Sequence, residues 1–158
     1  MNNCCGHNNH NCLDELSSDH KKILESLAHL ESSIGENELD KEQIKRFLDF
    51  TKNFSEPHHK KEEDVLFPAL EKKGMPNEGG PIGMMLFEHN TKRDYIKKME
   101  KGLEENDAAS IKTNSQAVIS LMREHIFKED NILYPCAKDF LSDEELSDLA
   151  EKCSKILL

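Results

Sequence analysis

The sequence predicts an all-α fold, an up-down-up-down four-helix bundle with a short C-terminal fifth helix. Three observations predict it. Apolar residues recur at helical spacing, strand-like alternation is scarce, and the apolar stripes are parted only by short turn signals. The 158 residues suffice for one domain with a proper core.

Residues 1–12 (MNNCCGHNNHNC) are polar and read as a flexible tail carrying cysteines and histidines, ahead of a bundle over residues 13–158. The first stripe takes Leu13, Leu16, Ile23, Leu24, Leu27, Leu30 and Ile34, and ends near Gly35. The second runs through Ile44, Phe47, Phe54, Val65, Leu66 and Leu70 to Gly74, with Pro57 placed to kink or restart the helix. GMPNEGGP, from Gly74 to Pro81, is the strongest loop signal, and Pro81 suits the first turn of the next helix. The third stripe holds Ile82, Met85, Leu86, Ile96, Met99 and Leu103, with a turn near Asn106. The fourth holds Ile111, Val118, Leu121, Ile132 and Leu133. Ser142 followed by Glu145 reads as a capping box that opens the fifth helix.

Charge and cysteine usage narrow the function classes. A formal net charge of -10 argues against nucleic acid and anionic membrane surfaces as partners. No apolar run approaches the roughly 20 residues that span a bilayer. The N-terminus lacks the basic and apolar regions of a signal peptide, so a cytoplasmic location is expected. Five cysteines, three of them in the polar tail, do not read as a disulfide framework.

Polar residues interrupt the stripes in a repeated pattern. HHKKEEDVLFPAL, from His58 to Leu70, is nearly restated as HIFKEDNILYPCA, from His125 to Ala137. Without gaps, His58 falls on His125, Glu62 on Glu129, Leu66 on Leu133 and Pro68 on Pro135. His20, His58, His89 and His125 each share the apolar face of a different helix, and Glu62 and Glu129 lie one turn beyond two of them. His20 precedes the first turn by about 15 residues and His58 follows it by about 17, so both reach one level of the bundle. His59 is one position off the stripe and reads as surface, unless Pro57 shifts the register, and His29 reads as solvent-facing.

A lone inward histidine is ordinarily a core residue with a hydrogen-bond partner. Four of them with two buried carboxylates are another matter, since two uncompensated glutamates would cost several kcal/mol each. A cation reverses that penalty, and mixed imidazole and carboxylate ligation suits iron, manganese or zinc. Two ions fit the six side chains better than one.

These residues resemble the hemerythrin-like (HHE) family over nearly all of residues 13–141. The resemblance rests on SSDH at His20, HHKKEEDVLFP around His58 and Glu62, GGPIGMMLFEH ending at His89, and REHIFKEDNILYP around His125 and Glu129. It implies a non-haem di-iron centre of two oxo- or hydroxo-bridged Fe ions, ligated by His20, His58, Glu62, His89, His125 and Glu129, with both glutamates bridging. It also implies a small diatomic or peroxide ligand and an unnamed electron donor. Oxygen-carrying hemerythrins have a further histidine one turn after the helix-three ligand, where this chain has Arg93. The reduced set is similar to di-iron proteins of iron–sulfur cluster repair and nitric oxide stress, whose Cys-Cys pair Cys4-Cys5 echoes. The function expected is binding or sensing of oxygen or nitric oxide. The alternatives are a redox enzyme or iron donor in nitric oxide or peroxide stress and cluster repair, or an iron-responsive regulator.

Overall fold

The computed structural model describes residues 11–156. Residues 1–10, with Cys4, Cys5, His7 and His10 of the expected tail, lie outside them. Helix α1 spans Cys12–Ser33 and is capped by Asn11, whose side chain accepts from the Leu13 amide at 2.8 Å. It begins at the last residue of the expected tail, and Cys12 is buried.

The second helix, α2, covers residues 41–72 as one path with two π-helical turns, Thr51–Ser55 and Glu62–Leu66. Asp40 caps its start by accepting from the Gln43 amide at 3.2 Å. Helix α3 spans Gly80–Glu105 and ends on Asn106 in the left-handed conformation at φ 54°. Asp107 caps α4, residues 108–140, which contains a third π turn at Glu129–Leu133. Helix α5, Asp143–Ser154, opens on the expected capping box between Ser142 and Glu145.

The π turns share one cause. Pro57, Pro68 and Pro135 each stand two residues after the last residue of a π turn. A proline offers no amide to the carbonyl four residues back and its ring crowds that carbonyl. The amide just before it bonds five residues back instead: Glu56 to Thr51, Phe67 to Glu62, Tyr134 to Glu129. One extra residue is thereby fitted into the turn. The shift also explains Ile132, expected on the apolar stripe but 53% exposed inside the third π turn. Leu24, at the rim of the α1 stripe, is likewise more exposed than its neighbour Ile23.

Helices α1 to α4 pack in sequence order around a ring, and α5 lies against α1 and the π turn at Glu62. Close approach of α3 and α4 needs Gly102, because a Cβ there would come within 2.9 Å of Ile111. The interior falls into two apolar clusters. One joins Leu13, Leu16, Leu66, Phe67, Met85, Leu133, Tyr134 and the buried face of α5. The other joins Ile23, Leu27, Ile44, Phe47, Met99, Ile111, Val118 and Met122. Between them lies a layer of buried histidines and carboxylates.

Candidate metal centre

All six sequence-predicted residues enter that layer. His20, His58, Glu62, His89, His125 and Glu129 are each at most 1% exposed. A seventh joins them. His59, expected at the surface, is fully buried and stands with Glu62, His89 and His125 in one group with metal-holding geometry. His20, His58 and Glu129 form a second group. His58 and His59 both face inward because they flank the inward direction of α2, between its two π turns. The register shift at Pro57 was the one signal for this in the sequence.

Each glutamate reaches histidines of both groups. Glu62 Oε1 lies 3.3 Å from His58 Nε2, 3.5 Å from His89 Nε2 and 3.6 Å from His59 Nδ1. Glu129 Oε1 touches His125 Nε2 and is 4.0 Å from His20 Nε2. His89 Nε2 and His125 Nε2 face each other at 3.2 Å. That is near the separation, about 3 Å, of two nitrogens bound at right angles to one ion.

A ring of carboxylates orients four of the imidazoles. Asp19 on α1 lies 3.0 Å from His58 Nδ1 on α2, and Glu63 on α2 lies 3.4 Å from His89 Nδ1 on α3. Glu88 on α3 is 2.7 Å from His125 Nδ1 on α4, and Asp130 on α4 is 2.8 Å from His20 Nδ1 on α1. Each helix thus hands a carboxylate to the next helix's histidine. At His20, His58 and His125 an Nδ1–H that donates outward leaves the Nε2 lone pair aimed inward, whereas His89 Nδ1 only approaches its carboxylate. Asp19, Glu63, Glu88 and Asp130 were missed by the sequence reading, although each is adjacent in sequence to a ligand.

His59 is oriented differently. Its Nε2 is 3.0 Å from Lys92 Nζ, itself buried, and its Nδ1 points at Glu62. Burial lowers the Lys92 ammonium to about 7. Burial, then the Lys92 charge, holds His59 well below the usual imidazole value. Burial likewise brings His125 down to about 4, so it stays neutral and ready to ligate. For Glu62, burial pushes upward, but the surrounding imidazoles of His58, His59 and His89 outweigh it and hold its carboxyl well below the usual carboxylate range. Against burial, Asp19 and Glu62 raise His58, and Glu62 and Glu63 raise His89, so the ionised carboxylate faces imidazoles shifted in opposite directions.

Arg93 does not enter the site. It donates from Nε to Glu56 at 2.8 Å and grips Glu63 with both terminal nitrogens at 2.9 and 2.8 Å. Position 93 thus offers no ligand, as expected, while His59 on α2 brings a fifth histidine into the layer. Tyr134 closes the other side, donating to Glu62 Oε2 at 3.2 Å and lying 3.4 Å from His20 Nε2. A cavity of about 220 Å³ lined by Thr51, Glu56, Lys92 and Arg93 approaches the His59 side from solvent.

The residues fit a bound cation. Among the described residues, His58 Nε2, His59 Nδ1, Glu62 Oε1 and both Glu129 oxygens are buried without a hydrogen-bond partner. Stranded polar atoms of this kind cost about 1–3 kcal/mol apiece; with His89 Nδ1, six of the eight among the described residues belong to the two groups, and the other two are Thr51 Oγ1 and Ser115 Oγ. The family model of the hemerythrin HHE cation-binding domain matches residues 11–137. No curated protein matches the chain with significant similarity.

Proposed function

Since the chain belongs to the hemerythrin HHE cation-binding family, we propose that its metal-binding site is a non-haem di-iron centre that binds or senses oxygen or nitric oxide. One observation carries the reading: two carboxylates that each reach histidines of both groups, with three histidines on one side and two on the other. His59, His89 and His125 would hold one ion, His20 and His58 the other, with Glu62 and Glu129 between them. Iron would supply reversible one-electron chemistry and affinity for diatomic ligands.

The chain's own residues set the rest. The unequal histidine count leaves the His20 and His58 side one protein ligand poorer, so a small ligand is directed there. Tyr134 stands on that side as a hydrogen-bond donor. Phe67 packs against His89 at 6.1 Å between ring centroids, and the apolar clusters above and below exclude bulk water. Asp19, Glu88 and Asp130 hold the tautomers of His58, His125 and His20.

A second reading, redox turnover of nitric oxide or a peroxide, with iron donation in cluster repair as its variant, is favoured by Tyr134 and Lys92. Both are protic groups one contact from the ligands. Anaerobic stopped-flow mixing of the reduced, iron-loaded protein with oxygen and with nitric oxide separates the readings. A stable spectral change that reverses on ligand removal supports binding or sensing. Multiple turnovers of consumed ligand support the enzyme, and no reaction with either gas removes both in favour of an iron-responsive regulator.

A further inference from the structure

Outside the metal layer, two cysteines from opposite ends of the chain meet. Cys12 opens α1 and Cys153 sits in the last turn of α5. They are 0% and 2% exposed and belong to the same apolar cluster. Their thiols act on each other where α5 packs against α1, and neither is in a disulfide. Cys136, the third described cysteine, is partly buried at the edge of that cluster.

We propose that Cys12 and Cys153 are a redox-active dithiol that a hydroperoxide converts to a disulfide, fastening α5 to the start of α1. A buried cysteine is ordinarily a small space-filling residue. Space-filling, however, does not require two sulfurs from different helices to meet. Their mutual influence also divides their roles: it raises the Cys12 thiol and lowers the Cys153 thiol, which makes Cys153 the readier nucleophile. Access comes through α5, whose last turn carries Cys153 and frays at low cost. A groove lined by Glu15, Ala150, Glu151 and Ser154 runs between the same two helices.

The chemistry balances with a hydroperoxide as the only oxidant. The Cys153 thiolate attacks the terminal oxygen, the O–O bond breaks, and the alcohol or water leaves with Cys153 as a sulfenic acid. Cys12 then attacks that sulfur and its proton leaves with the hydroxyl as water. Two thiols are oxidised by two electrons and one peroxide is reduced. The resulting loop spans nearly the whole described chain, the case in which a cross-link restricts the unfolded state most. The proposal does not depend on which metal the bundle holds.

The test uses the full chain as purified, reduced and then exposed to hydrogen peroxide, with alkylation and non-reducing peptide mapping. The expected result is a Cys12–Cys153 cross-linked peptide with Cys136 recovered as an alkylated thiol. The melting temperature should rise by about 10 °C and fall back on adding dithiothreitol. Cys153→Ser should abolish the cross-link and the rise, while Cys136→Ser should keep both. Recovery of Cys12 and Cys153 as free thiols after peroxide, or of Cys12 joined to Cys4 or Cys5, overturns the proposal. The peptide map of the unmodified sequence decides this even if a variant fails to fold.

Discussion

The two copies of the repeated segment, 58–70 on α2 and 125–137 on α4, fold alike and yet serve the site unequally. Each places a histidine and, four residues on, a glutamate in the ligand layer. Each then makes a π turn that begins at that glutamate and ends two residues before a proline. Each follows the glutamate with a second acid, Glu63 or Asp130, that orients a histidine on the next helix of the ring. The difference is one position. His59 in the first copy corresponds to Ile126 in the second, and Ile126 belongs to the apolar cluster while His59 belongs to a ligand group. The same backbone device therefore yields two histidines on one side and one on the other, which is where the three-to-two division of the site arises.

The shared part of the comparison carries the largest expected effect. Glu62→Ala and Glu129→Ala should each lose more than one metal ion per chain, since each carboxylate reaches histidines of both groups. Metal analysis of the purified variants reads this directly. A variant that loses only one ion would show that its carboxylate does not bridge.

Replacing the position that differs should part the copies cleanly. His59→Ala should weaken metal retention by at least about 10- to 100-fold in chelator competition, the loss typical of even an indirect metal-site contact. Ile126→Ala should leave the metal in place and instead cost about 2–4 kcal/mol of stability through the cavity it opens. Equal metal loss in both variants would mean that His59 acts only through packing.

The bundle, its turns and the level of the site were legible because helical periodicity, Gly74–Pro81 and the Ser142 cap are local signals. The repeated histidines and glutamates were legible because buried charge at fixed spacing is rare. His59 was not, since a rule of three and four residues per turn excludes a neighbour of His58 unless the helix is known to be wound differently. Pro57 held that information, because the π turn ahead of it resets which residues of α2 face inward. The orienting carboxylates were visible only as acidic neighbours of ligands, in Asp19-His20, Glu62-Glu63, Glu88-His89 and Glu129-Asp130. Which helix each would serve depends on packing. The partners of Arg93, Glu56 and Glu63, were not legible because they lie on another helix.

The orienting acids offer an intermediate test. Glu63→Gln and Asp130→Asn keep shape but remove charge, and each should cost about 10-fold in metal affinity. The loss should be the greater at Glu63, which also anchors Arg93. An unchanged affinity at both would leave the carboxylate ring without a role in ligation.

The smallest effect is expected from the prolines. Pro68→Ala or Pro135→Ala restores an amide that competes for the carbonyl four residues back, and each should cost about 1 kcal/mol in chemical denaturation. The two costs should match, because the two π turns are the same device. A marked inequality would mean that one turn is held by its surroundings rather than by its proline.

The central claim is that both copies feed one centre of two ions. Elemental analysis of the protein purified from iron-replete cells tests it most directly. Close to two irons per chain is the predicted result. One tightly held zinc per chain, with no second ion, would contradict it.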